Sequence, residues 1–271
     1  MKNIKKPIII SGIPRSGTTA LGSVLSSIKG FSMIYEPFNA NQGIIDVKFN
    51  YLYPGKNISI QQFQSIFNNL IQFKSSFKKG FLKNDSLAKR IFKTFFGNES
   101  SLSYFKAKKS LSTNQLLIKD PFLLFSSKEL CLNYKVIICY RPLMPLAASF
   151  KRMKWDFREF EDLVNFFPPN SIKSLRFKAN DKISSNVVGA IQFYELFYNY
   201  INSINPNKNL YFFSQQEFST DPIEEITNVL KWLELEVSDE IVQLSQSLNK
   251  GKSSQIHIPD QSIQHDPNYN K

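Results

Sequence analysis

The residues best suited to chemistry crowd into one run, Gly12-Ile13-Pro14-Arg15-Ser16-Gly17-Thr18-Thr19. Its two glycines, with four residues between them, let backbone N–H groups turn inward around an anion. Thr18 and Thr19 add hydroxyl donors, and Arg15 offers a planar, forked cation suited to phosphate oxygens. The glycine spacing is that of the nucleotide-triphosphatase loop Gly-x-x-x-x-Gly-Lys-Ser/Thr, but Thr18 stands where the lysine would be. A second cation, Arg141, follows the apolar run KVIICY, with Ser149 eight residues further on. On a helix that spacing is roughly 12 Å along the axis, so either the arginine folds back or a bound anion sits beside the helix. A third cation, Lys119, ends QLLIK just before Asp120-Pro121.

The elements that must hold these residues follow from the apolar pattern. Pro7–Ser11 is apolar and β-branched and stops at Gly12, which predicts a buried parallel strand. ALGSVLSSI then continues as a helix whose N-terminus faces the loop. Gln115–Lys119, Lys135–Tyr140 and Asn209–Phe213 are three further strands. Helices are expected from Arg141-Pro142 to about Arg152, over Asn186–Ile204, over Pro222–Leu233 with Asp221 as N-cap, and over Ser238–Leu248. In between, Ile34–Asn39 is a short segment broken by Pro37, Ile44–Pro54 is irregular, and Ile60–Phe73 is helical. Asp85–Phe96 is a weaker helix, and the Ser- and Lys-rich stretch Gly97–Thr113 is expected to be loop. Strands alternating with helices give an α/β fold with a phosphate-binding loop and a central, mainly parallel sheet flanked by helices. The expectation is a single domain over residues 1–271, with residues 44–113 a basic, aromatic cap or insertion and 251–271 a partly flexible tail.

Composition narrows the partners. Lys and Arg number 34 against 22 Asp and Glu, a formal charge of +12. Such an excess suits a nucleotide, an acidic substrate, nucleic acid or an anionic membrane face, or simply solubilises the surface. No zinc-finger spacing and no RNA-binding strand signature is present. The 25 phenylalanines predict aromatic packing through the core. Cys131 and Cys139 lie in or near apolar runs and are expected to be buried, unpaired thiols. No run reaches about 18 apolar residues, and the N-terminal apolar run is too short for a signal peptide, so a cytoplasmic protein is the expectation.

The loop and the KVIICYRPLMPLAASF segment together resemble the sulfotransferases that use 3′-phosphoadenosine 5′-phosphosulfate (PAPS), most closely in the style of the bacterial and glycan branches. The resemblance implies that Arg15, Ser16, Gly17, Thr18 and Thr19 contact the 5′-phosphosulfate and that Arg141 and Ser149 bind the 3′-phosphate. IKDP is similar to the family's lysine-containing segment near the transferred group, which implies a role for Lys119 there. LYFFSQQEF followed by a helix resembles the C-terminal half, with Glu217 in the acidic position and more structural than catalytic. Gly251-Lys252-Ser253 is the remaining candidate for donor contact. The resemblance is thin over residues 44–110 and 156–185.

Sulfuryl transfer needs positive charge at the leaving phosphate and a base beside the acceptor proton. Arg15 and Lys119 can supply the charge, and losing such a donor typically costs about 3 kcal/mol of barrier. Glu36, in YEPFN, is the candidate base, because a Glu-Pro pair here resembles the glycan branch. Pro37 would keep the backbone at Glu36 extended and aim its carboxylate. The competing role for Glu36 is a structural carboxylate paired with an arginine. Asp120 is the reserve base, though a turn-forming role before Pro121 suits it better. His257 and His265 lie in the polar C-terminal part and suit a solvated tail. The scheme requires no metal. The Glu36 match points to a carbohydrate or glycolipid hydroxyl as acceptor. Two other classes compete: a kinase using ATP and magnesium, and a non-catalytic anion- or nucleic-acid-binding protein. The first lacks the loop lysine, and the second leaves both phosphate motifs to coincidence.

Overall fold

The computed structural model describes residues 5–80, 97–155, 161–168, 171–176, 178 and 184–249. The expected helix Asp85–Phe96 and the expected tail at 251–271 lie outside them. The described residues form two compact units, one drawn from Met1–Tyr140 and Asn207–Ser254, the other from Arg141–Pro206.

The first unit is built on five parallel strands: β1 (Lys5–Gly12), β2 (Phe31–Tyr35), β3 (Gln115–Lys119), β4 (Lys135–Tyr140) and β5 (Leu210–Ser214). Their order across the sheet is β2-β3-β1-β4-β5. Parallel pairing puts all the strand C-terminal ends on one edge, where open α/β sheets place ligands. Along β1, Ile8 and Ile10 point into a core with Leu21, Val24 and Leu25 of helix α1 (Thr18–Ser26). Ile9 lies between them and is equally buried, so the alternation of a strand buries both faces. That double burial is why β1, β3 and β4 are continuous apolar runs in the sequence.

Two elements differ from expectation. FSMIY, at Phe31–Tyr35, is a strand, paired in register with β3 so that Tyr35 lies opposite Lys119. Residues Glu99–Lys109, expected to be loop, form helix α3, which follows α2 at Ile60–Ile71. Serine-rich sequence has weak helix propensity, so tertiary anchors decide. The Asn98 side chain accepts from Ser101 N at 3.1 Å, and its amide donates to Gln42 O (2.7 Å) and Lys78 O (2.9 Å). Glu99 opens the helix and Lys106, Lys108 and Lys109 close it, matching the helix dipole. Tyr104 fills the inner face against Phe73 and Phe77.

Aromatic packing is as dense as 25 phenylalanines suggest. Phe38 sits with Phe63 and Phe67 of α2, and Tyr51 meets Phe122 and Phe125 edge-on. Both cysteines are free and buried. The helix after β5 that begins at Pro222 is capped as expected, with Asp221 accepting from Ile223 N (3.1 Å) and Glu224 N (3.0 Å).

The second unit is helical. A helix over Leu143–Met153 packs on a long helix over Ser185–Asn202. Glu195, on the long helix, accepts from Lys173 N (2.9 Å) and Ser174 N (2.7 Å) and so ties down the turn before it.

Candidate active site

The loop after β1 is shaped by its backbone. Gly12 has φ 143°, and a Cβ there would lie 2.0 Å from the Cys139 carbonyl oxygen of β4. That carbonyl accepts from Ile13 N (3.0 Å) and lies 2.8 Å from the Ser16 hydroxyl, which also reaches Ile13 O. Ser16 is fully buried, so its hydroxyl clips the loop to β4 rather than facing outward. Gly17, φ 90°, precedes α1, and Gln215 from the end of β5 packs 3.2 Å from where its Cβ would be. Arg15 is exposed with φ 69°. No side chain caps α1. The first-turn amides of a helix lack intrahelical partners, so the N-terminus presents N–H groups and a favourable field for an anion.

At the ends of β2 and β3 the chain assembles a charged cluster that sequence spacing does not reveal. Lys119 Nζ bonds Glu36 Oε1 at 2.6 Å, with only 3% of the lysine side chain and 17% of the glutamate side chain exposed. The same ammonium lies 4.1 Å from the centre of the Tyr35 ring. Gly22 of α1 lets the helix pass close over β2 beside this lysine, for a Cβ there would be 2.8 Å from Met33 Sδ and in ordinary contact, 3.5 Å, with Lys119 Cγ. Burial pulls the Lys119 pKa down, but the Glu36 carboxylate and the Tyr35 phenol outweigh it, and the net shift is upward. Burial and the Glu36 charge push Tyr35 up to about 12. The partner of Glu36 is therefore a lysine, not the arginine that its structural role suggested.

Glu36 also departs from the extended backbone expected before proline. Its φ is 43°, in the left-handed region, a strained choice for a non-glycine residue. Tertiary bonds over-determine it. Glu36 N donates to Lys119 O (2.8 Å), and its own carbonyl accepts from Asn39 N (3.2 Å) and the Ser100 hydroxyl (3.2 Å). Its carboxylate meets Lys119 through Oε1, and Oε2 has no protein partner among the described residues.

Asp120 is fully buried behind this pair, with Oδ1 accepting from Phe122 N at 2.9 Å and Oδ2 from Phe38 N at 2.5 Å. It thus opens the 3-10 turn Pro121–Ser126 as its N-cap, the turn-forming role its place before Pro121 suggested. Burial, then repulsion by Glu36, raise its pKa from 3.8 to about 8, against the opposing pull of the two N–H donors and Lys119. Between those values the folded chain holds a proton that the unfolded chain releases, so this group's contribution to stability falls as pH rises from about 4 to about 8. Thermal melts across that window should therefore show a shallower pH slope for Asp120→Asn than for the wild type. An unchanged slope would mean that Asp120 titrates normally.

The remaining expected site residues fall elsewhere. Arg141 and Ser149 belong to the second unit. Ser149 is buried on the Leu143–Met153 helix, and its hydroxyl has no hydrogen-bond partner among the described residues. Gly251, Lys252 and Ser253 lie outside the described residues, as do His257 and His265. Glu217 is exposed, and the buried acid near the end of β5 is Glu225, which accepts from Ser214 N at 3.1 Å. Tyr35, Ser100 and Gln215 were not singled out by sequence. Among the described residues no group of three or more His, Cys, Asp or Glu is placed to hold a metal ion, and no helix is long and apolar enough to cross a membrane.

A family model described as the sulfotransferase domain matches residues 5–266. No curated protein matches significantly. Among solved structures, the chain is similar to a sulfotransferase domain from the curacin biosynthetic pathway, with 16% identity, a TM-score of 0.46, and coverage of 90% of this chain and 78% of that one. A sulfotransferase from Mycobacterium avium gives 12% identity and a TM-score of 0.41 over 92% and 68% of the two chains. The sulfotransferase domain of an olefin synthase from Synechococcus PCC 7002 gives 12% and 0.39 over 100% and 96%.

Proposed function

The chain belongs to the sulfotransferase domain family, whose members draw on PAPS, and on that premise we propose that it sulfates a hydroxyl of a carbohydrate or glycolipid-like acceptor. The observation that carries the proposal is the Glu36–Lys119 pair: a carboxylate fixed at the strand ends with one oxygen unclaimed among the described residues. Glu36 Oε2 takes the proton of the acceptor hydroxyl as its oxygen attacks. Lys119 holds the other oxygen and keeps positive charge in the site. PAPS, when bound, supplies the sulfuryl group and departs as 3′,5′-adenosine bisphosphate (PAP).

The loop at residues 12–19 acts as the phosphate-binding loop. Gly17, Thr18 and Thr19 present N–H groups and hydroxyls to the 5′-phosphosulfate, Arg15 adds its charge, and Ser16 holds the loop in shape. The uncapped N-terminus of α1 supports this role. Arg141 and Ser149 receive the 3′-phosphate, a role suited by the Ser149 hydroxyl, which has no hydrogen-bond partner among the described residues. Gly251, Lys252 and Ser253 add donor contacts. The chain works as one catalytic domain in which residues 44–113 act as a cap on acceptor choice.

Incubation with sulfur-labelled PAPS and a panel of neutral glycans, glycolipid headgroups, phenols and amines tests the acceptor class. Label on sugar hydroxyls is the expected result. Label confined to phenols or amines would overturn the acceptor assignment, and no transfer to any member would count against catalysis itself.

A further inference from the structure

Asp120 has no contact in the proposed chemistry, yet it is the most enclosed ionisable group beside the site. Its side-chain oxygens reach in two directions. One oxygen caps the turn that follows β3, through Phe122 N (2.9 Å), and the other crosses to the chain leaving β2, through Phe38 N (2.5 Å). Its own N–H is fixed to Ile10 O of β1 at 2.8 Å. Phe38 is two residues beyond Glu36, and its ring is locked in the aromatic cluster with Phe63 and Phe67. The neighbouring residue, Lys119, holds Glu36 itself by both its carbonyl and its ammonium. The 36–39 turn is therefore pinned to the end of β3 at two points, and its first residue has a backbone conformation that would relax if one pin were drawn.

We propose that Asp120 is a positioning residue for sulfuryl transfer, its two side-chain oxygens clasping the 36–39 turn to the end of β3 and so setting where the Glu36 carboxylate stands. The proposal rests on the reading of Glu36 as the base. A misplacement of about 1 Å in such a group can cost about 100-fold in rate.

The test is a double-mutant cycle on the slow hydrolysis of PAPS by water, which needs no identified acceptor. In that step Glu36 accepts a proton from water, the water oxygen bonds to sulfur, and the sulfur–oxygen bond to PAP breaks. Asp120→Asn keeps the volume but offers a single acceptor oxygen. Asp120→Ser keeps a cap for Phe122 N and releases Phe38 alone, which serves if the asparagine variant does not fold. Titration with PAP on the same preparations reports an intact nucleotide site. We expect kcat to fall about 10- to 100-fold in the wild-type background, PAP affinity to hold within about threefold, and the same change to cost less than about twofold in a Glu36→Gln background. An equal loss in both backgrounds would overturn the proposal and leave Asp120 a structural residue, with Glu36 still the base. A Glu36→Gln variant as fast as wild type would remove the base itself, and the proposal with it.

Discussion

Glu36→Gln is expected to slow sulfuryl transfer about 100- to 10,000-fold, the range for loss of a positioned general base, and to destabilise the fold in the same step. The second effect comes from Lys119. Its side chain is 3% exposed and its charge is balanced by the Glu36 carboxylate at 2.6 Å. Breaking a buried pair by removing one partner costs about 3 kcal/mol or more, because the surviving charge is stranded. Burial alone would then pull the lysine toward its neutral form. Lys119→Met is expected to be the milder change for stability. The stranded Glu36 keeps a solvent edge, with 17% of its side chain exposed, and water can take the place of the ammonium. Thermal melts of the two variants check the asymmetry, and PAPS turnover checks the rate. A Glu36→Gln protein as stable as wild type would show that the pair carries no net stability.

Gly12→Ala should be still more damaging to the fold. The added Cβ would lie 2.0 Å from the Cys139 oxygen, 2.7 Å from its nitrogen and 2.8 Å from its carbonyl carbon, all backbone atoms in β4. None can yield easily, since β4 pairs with β1 on one side and β5 on the other. The residue also has φ 143°, which a side chain disfavours. A loss above about 4 kcal/mol is expected, at the extreme of single substitutions. The protein would fail to fold or would fold with the loop displaced and without nucleotide binding. Gly55→Ala is the control. Its φ of 80° is also positive, but the nearest atom to its Cβ would be Ile60 Cδ1 at 4.0 Å, so only about 1 kcal/mol of backbone strain is at stake. Circular dichroism and chemical denaturation of the two variants compare them directly.

Four of the five strands were legible: β1, β3 and β4 because strands buried on both faces demand unbroken apolar runs, which Gly12, Asp120 and Arg141 bring to a stop, and the edge strand β5 from its apolar, aromatic residues although Phe212 is exposed. The strand at Phe31–Tyr35 was not, because only Ile34 of its five residues is buried and its pairing with β3 is a long-range choice. Helix α3 was hidden for a related reason: serines and lysines carry little helical signal, and the Asn98 amide that anchors it reaches carbonyls 20 and 56 residues away. At the site, the glycine loop was visible as a local motif. The Glu36–Lys119 pair joins residues 83 apart, so each could be nominated from its neighbours but their contact could not. The left-handed backbone at Glu36 ran against the local rule for a residue before proline, and bonds from β3 and α3 explain why it did.

PAP is the ligand whose binding decides the assignment. Calorimetric titration with PAP, set beside ADP and beside ATP with magnesium, tests it most directly. Binding of PAP in about the micromolar range, roughly 8 kcal/mol, weakened at least about tenfold by Arg141→Ala, is the predicted result. Preference for ATP with magnesium, or PAP binding indifferent to Arg141, would contradict it.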